Sequence, residues 1–186
     1  MEPVNLLALP AAAWKVENLD DAGHHQVVLE HYDQEQLSLR RYLVFLGIDG
    51  ETAQEIVQES FLRLHEHLLH GGDRAHLRAW LYRVAHNLAR NTQAAFRSSR
   101  TGPLEDSLVL GDPVSKAASA EEELLGKERL ARFRLAMDRL SAAQRDCLVL
   151  RAQGLKYREI AEALQLSVST VGENVQRGLE RLKELL

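Results

Sequence analysis

The 186-residue chain has one cysteine, Cys147, four prolines, eleven glycines and only 5% aromatic residues. A single cysteine excludes an internal disulfide and any zinc site built on several thiolates, and it fits a reducing compartment. Scarce aromatics and few backbone breakers argue against a β-sandwich and for helices. No apolar run approaches the roughly 20 residues that a membrane-spanning helix needs. The opening "MEPVNLLALPAAAW" is apolar in part, but Glu2 stands where a signal peptide carries basic residues. These absences lead to the expectation of a cytoplasmic protein without membrane insertion. No nucleophile–base pair and no carboxylate constellation is visible, so neither enzymatic activity nor a cofactor is expected.

What is present is 45% hydrophobic and 27% charged residues, enough for helical cores with solvated faces. The net charge of −4 argues at first sight against a polyanionic partner. Its distribution argues the other way. Residues 1–100 carry 10 basic and 13 acidic side chains, residues 101–125 carry 1 and 6, and residues 126–186 carry 12 and 8. Between Arg74 and Arg100 there are six arginines and no acid. Two basic surfaces flanking an acidic connector suit nucleic acid better than the total suggests, because binding follows the local field.

Apolar spacing divides the chain. Residues 1–25 have no clear period and are expected to form a loose extension with at most one short helix. From 26 to 46, Val28, Tyr32, Leu39, Tyr42 and Leu43 recur with broadly helical spacing, and "GIDGE" ends the run. Residues 51–69 give the cleanest stripe, with Ala53, Ile56, Val57, Ser60, Phe61, Leu64 and Leu68 on one face. "HGGD" closes it, with Gly71 as the C′ residue and Asp73 as N-cap of a helix over 74–97. "TGPLEDSLVLGDPVSKAASAEEE" reads as an acidic, flexible linker over 101–120. A second helical domain follows over 121–186. Its first helix shows an apolar face of Leu124, Leu125, Leu130, Phe133, Met137 and Leu140. "SAAQ" at 141–144 then forms a capping box that opens the next helix. The fold class is therefore all-α: two small helical domains joined by a linker.

"KYREIAEAL", the tight "QLS" and a last helix from Val168 have the spacing of a helix-turn-helix. Ala161 is the small residue at the crossing, and Ile160, Leu164, Val168 and Val171 should lock the pair. Ser167 is the expected N-cap, with Ser169 and Thr170 beside it, because the start of the second helix must enter a major groove. A plain helical hairpin would show the same apolar spacing. A second signal lies in "RAHLRAWLYRVAHNLARNTQAAFRSSR". Its arginines can hold a phosphate backbone, Trp80 and other aromatic faces can stack unpaired bases, and Asn87 and Asn91, one turn apart, can read base edges. The alternative is that Trp80 is core and the arginines a solvated face. Of the three histidines in "HEHLLH", only His67 and His70 have the spacing of two ligands on one helix face, so a solvated helix end is expected there. Cys147 should be a buried, inert thiol.

"ETAQEIVQESFLRLHEHL", then "LRAWLYRVAHNLARN", a linker, and "MDRLSAAQRDCLVLRAQGLKYREIAEALQLSVSTV" together resemble the sigma-70 family of bacterial RNA polymerase specificity subunits. The closest resemblance is to its small extracytoplasmic-function group. It covers about 26–98 and 121–186. It implies a factor that binds core polymerase, at the β′ clamp helices and the β flap, and directs promoter recognition and strand opening. By the same resemblance Glu55, Ile56, Gln58 and Glu59 contact polymerase. Trp80, Arg83, Asn87, Arg90, Asn91, Arg97 and Arg100 would act on the −10 element. Lys156, Tyr157, Ser167, Ser169, Thr170, Asn174 and Arg177 would act on the −35 element. A controlling anti-sigma factor is a possible further partner. The rival is a stand-alone helix-turn-helix regulator, which would have no use for "EIVQES". The chain departs from the family pattern at Gly172 and Glu173, where basic residues are usual, at Lys156, where a capping Ser is usual, and at Gln165, where the turn often has Gly.

Overall fold

The structure, a computed structural model, describes residues 13–99 and 120–186. Among these residues there are helices and no strand: α1 (Ala13–Phe45), α2 (Gly50–Leu69), α3 (Leu77–Ser99), α4 (Ala120–Asp138), α5 (Ala142–Ala152), α6 (Tyr157–Leu164) and α7 (Val168–Leu185). The residues expected to form the linker, and the side chains of Leu124, Leu125 and Leu130, lie outside the described residues.

The first three helices form one unit. α1 begins at Ala13, so the stretch expected to be a loose extension is helical from there. Good helix formers such as Ala, Leu, Lys and Glu extend an existing helix without a new nucleation cost, even where no apolar stripe marks them. α2 starts on Asp49, whose carboxylate accepts from the amides of Glu51 (3.1 Å) and Thr52 (3.0 Å). The Thr52 amide is the main reason that the Asp49 carboxyl titrates below its usual range. α2 ends at Gly71 in the left-handed region (φ +74°), as the sequence suggested. Its buried stripe is the expected one, Ser60 included, whose hydroxyl donates to the Ile56 carbonyl at 2.7 Å. α3 starts three residues later than expected. Asp73 accepts from the Ala75 amide at 2.8 Å and so closes a turn rather than capping the helix, and His76 takes φ +58° before the helix begins.

The C-terminal helices form the second unit. The Ser141 capping box is complete: Ser141 Oγ accepts from the Gln144 amide (3.2 Å), and Gln144 Oε1 accepts from the Ser141 amide (3.0 Å). Lys156 has no acceptor to cap α6, but Glu159 supplies the other half of such a box, accepting from the Lys156 amide at 2.7 Å. Gln165 occupies the left-handed region (φ 56°) that ends α6. Ile160, Ala161 and Val171 are buried at the helix-turn-helix crossing, and Leu164 is half-buried. Val168, expected to lock the pair, is 46% exposed. It follows the Ser167 cap directly and faces outward there; Val175 on α7 is buried instead.

Two glycines of α7 differ in role. A Cβ at Gly178 would lie 2.7 Å from Leu148 Cδ1 and 3.3 Å from its Cγ, so this glycine lets α5 and α7 approach closely. A Cβ at Gly172 would make ordinary contact with Tyr157 at 3.8 Å. Gly172→Ala should therefore raise the unfolding free energy by up to about 1 kcal/mol, the propensity difference in a helix interior. Gly178→Ala should lower it by about 1–3 kcal/mol through overpacking. Urea titrations of the two variants giving the same sign would contradict this assignment.

Candidate nucleic-acid interface

α7 presents its first turn to solvent. Ser167 Oγ accepts from the Thr170 amide (3.0 Å) and lies 2.8 Å from Ser169 Oγ and 2.7 Å from Thr170 Oγ1. Three hydroxyls thus gather over the free amides and positive dipole end of a helix, the arrangement that seats an anion or a groove edge. Asn174, one turn on, donates from Nδ2 to the Thr170 carbonyl (2.9 Å), which leaves its amide oxygen as the group available to a base. Lys156 is exposed, and Tyr157 is 38% exposed with the Arg151 guanidinium 5.5 Å from its ring centre. Arg177 is exposed and paired with Glu173 at 3.4 Å, one turn back. The acid that departs from the family pattern therefore offsets the charge of the one arginine assigned to phosphate there.

α3 presents Asn87, Arg90 and Asn91 to solvent, while Arg83 and Trp80 are half-buried. Trp80 stacks on His67 of α2 (centroids 4.8 Å, planes 27° apart). Its ring is thus held in place with part of its surface free. The same contact explains His67, whose Nε2 also lies 3.1 Å from the Asp73 carbonyl oxygen; His70 Nδ1 lies 2.7 Å from the Glu66 carbonyl. His67 and His70 close the end of α2. The side chain of Arg97 and all of Arg100 lie outside the described residues.

Beneath this surface His86 Nδ1 lies 2.7 Å from the Tyr42 hydroxyl. Burial first, and the Arg90 charge second, push the His86 pKa down to about 4, so the ring is neutral at physiological pH and contributes no charge toward DNA. Cys147 is fully buried, and burial raises its thiol to about 11, in keeping with an inert residue.

α2 exposes Glu55 and Gln58, with Glu59 half-buried and paired to Arg63 at 2.7 Å. Ile56 is buried at 6% exposure, so it supports this face from the core rather than presenting itself to a partner. The sequence reading missed Leu62. It lies one turn from Gln58 and Glu59, on the same face, and is 62% exposed. The signal was available: an apolar residue off the buried stripe, at i+3 and i+4 from the polar group.

The fold and these surfaces define an all-helical nucleic-acid-binding protein with a C-terminal helix-turn-helix. The profile described as Sigma-70 region 2 matches residues 31–100, and that described as Sigma-70, region 4 matches residues 130–182. RNA polymerase sigma factor SigZ of Bacillus subtilis is 32% identical over 157 residues, covering 83% of this chain and 84% of that protein. ECF RNA polymerase sigma factor EcfG of Rhodopseudomonas palustris is 28% identical over 150 residues, covering 80% and 79%. Among solved structures, the sigma factor RpoE in complex with the anti-sigma factor NepR from Bartonella quintana superposes with a TM-score of 0.64. It is 23% identical and covers 84% of this chain and 94% of that one. CnrH in complex with the cytosolic domain of CnrY gives 0.61 at 21% identity, over 91% and 94%. Both show the same fold.

The chain belongs to the sigma-70 family, as a factor of the extracytoplasmic-function type. It is a promoter-specific initiation factor whose partners are core RNA polymerase and promoter DNA. Among the described residues no helix is long and apolar enough to cross a membrane.

Proposed function

We propose that the chain works as a non-enzymatic, cytoplasmic initiation factor in which three exposed faces divide the work. Residues 26–100 dock on polymerase and open the −10 element, residues 121–186 read the −35 element, and 101–120 link them. The observation that carries this reading is the face of α3. Asn87 and Asn91 stand exposed one turn apart beside Arg90, with the immobilised Trp80 ring two turns before Asn87. Amides that can pair with base edges, a cation for phosphate and an aromatic surface for an unstacked base suit a strand being opened. At the −35 end, Ser169, Thr170 and Asn174 face the groove, and Arg177 meets a phosphate once it leaves Glu173. Glu173→Lys should strengthen promoter binding, since it removes the competing acid.

Glu55, Gln58 and Glu59 form the polymerase-docking face, with Leu62 as its apolar anchor. Capture of core polymerase by the purified chain tests this. Replacing Glu55, Gln58 and Leu62 together by alanine should weaken capture about tenfold or more, as expected when an exposed anchor and its polar neighbours are truncated. These side chains carry none of the core, so the melting temperature should stay within about 2 °C. Undiminished capture would favour a stand-alone DNA-binding regulator instead. Control by an anti-sigma factor is in keeping with the complex that the structural neighbour RpoE forms with the anti-sigma factor NepR.

A further inference from the structure

The turn between α2 and α3 is built around one side chain, His67. Its backbone carbonyl accepts from the Gly72 amide at 2.8 Å, so the chain folds back over this residue as it leaves α2. The ring then makes two different contacts. Nε2 lies 3.1 Å from the Asp73 carbonyl oxygen, and because a carbonyl can only accept, Nε2 carries the proton and donates. That hydrogen bond orients the imidazole. Its face lies along the Trp80 indole at the start of α3, with centroids 4.8 Å apart and planes 27° apart, the geometry of a stacked pair. Gly72 supplies the clearance. A Cβ there would lie 2.2–2.4 Å from three ring atoms of His67, closer than side chains approach one another. Gly72 itself is not in the left-handed region. The position is thus small because of the ring beside it and not because of its own conformation.

We infer that His67 is the positioning residue for Trp80 in strand opening, and that Gly72 is there to make room for it. The inference rests on the reading of Trp80 as a stacking surface for the −10 strand. A half-buried tryptophan near the start of a helix can exchange rotamers, and a base that stacks on it must first freeze that motion. An indole already pinned by an imidazole has lost the freedom beforehand, so the base meets a preformed surface. The imidazole also occupies one face of the indole, and a base must use the rest of the ring. His67 touches no base in this arrangement; its effect on the strand passes through Trp80. Because His67 belongs to α2, the helix proposed to dock on polymerase also holds the ring proposed to meet the strand.

Two measurements on the full chain test the inference: tryptophan fluorescence of the free protein, and permanganate reactivity of unpaired thymines when it opens a promoter with core polymerase. A Trp14→Phe background leaves Trp80 as the sole tryptophan. In that background His67→Ala and Gly72→Ala should each make Trp80 more readily quenched by acrylamide, since each uncovers the indole. Both should lower opening about three- to tenfold, the weight of one aromatic contact, with polymerase capture and helical content unchanged. His67→Phe keeps the stack and should restore most of the opening. The sharpest readout is the pair. His67→Ala added to Trp80→Ala should cost nothing further, because a residue that acts through another is not additive with it. If His67→Ala loses helical content, Gly72→Ala decides: impaired opening supports the inference and full opening refutes it. Unchanged quenching in the folded variants, or a His67→Ala defect that persists in full beside Trp80→Ala, overturns it. A defect in Trp80→Ala with none in His67→Ala strikes the inference alone. Normal opening by Trp80→Ala strikes the stacking role of Trp80, and the inference with it.

Discussion

Run-off transcription from a cognate promoter should fall by roughly 30-fold or more when Asn87 and Asn91 are both changed to alanine. Each amide that pairs with a base edge contributes about 1–3 kcal/mol of recognition, and two together contribute about 2–6 kcal/mol. Both side chains are exposed on α3, and neither makes a side-chain hydrogen bond among the described residues. Alanine is also the better helix former. Stability should therefore stay level or rise slightly while transcription falls. That separation is the diagnostic. A variant that loses activity in proportion to its melting temperature would show a structural role, and one that transcribes normally would remove α3 from base reading. Polymerase capture should be unaffected, because the proposed docking face lies on α2.

The second large effect concerns a buried acid. Asp146 is 8% exposed, and burial raises its carboxyl to about 6 despite the opposing pull of Arg90 and Arg145. An unfolded Asp titrates near 3.9. Below about pH 4 both states hold the proton, and the site contributes nothing to the pH dependence. Between about pH 4 and 6 the folded chain keeps a proton that the unfolded chain has released, so stability falls as pH rises. Above pH 6 the cost is constant, at most about 3 kcal/mol for two pKa units.

His86 works in the opposite direction. Its folded pKa of about 4 lies below the unfolded value near 6.5, so the unfolded chain takes up the proton first as pH falls. Stability from this group therefore rises between pH 4 and 6.5. The two slopes largely offset each other in the wild type, whose stability should be nearly flat across this window. Asp146→Asn removes one of them. The variant should match the wild type at pH 4, climb from there to pH 6.5, and exceed the wild type by about 1–3 kcal/mol at pH 7. Denaturant titrations at three pH values would show it, and a variant with no slope and no gain at pH 7 would refute the account.

Much of the fold was legible in the sequence because the signals were local. The stripe of α2, the Ser141–Gln144 box, the Ser167 cap and the positive-φ glycine at 71 each depend on residues within one turn of one another. The exposure of the candidate promoter-reading residues was legible for a related reason. Polar and basic side chains off a buried stripe must face solvent, and Asn87, Asn91, Ser169 and Arg177 do. The misreadings share a different cause. Ile56, assigned to the polymerase contact, is buried and Leu62, passed over, is exposed, because helical spacing gives a face but not what covers it. Val168 was expected inside because it is apolar, yet its place beside the cap turns it outward. The first turns of α1 carry no stripe, and the start of α3 is set by the His76 backbone and the Asp73 turn.

By itself the sequence determined the all-helical class, the two units in their order, the helix-turn-helix and the family, because these rest on periodicity, caps and motif spacing along the chain. Only the tertiary structure decided what lies between the units. Asp146 of α5 is buried although it is an acid. Arg78 closes a helix 75 residues away. Contacts at that separation leave no period in the sequence, since each depends on where two independently formed helices meet.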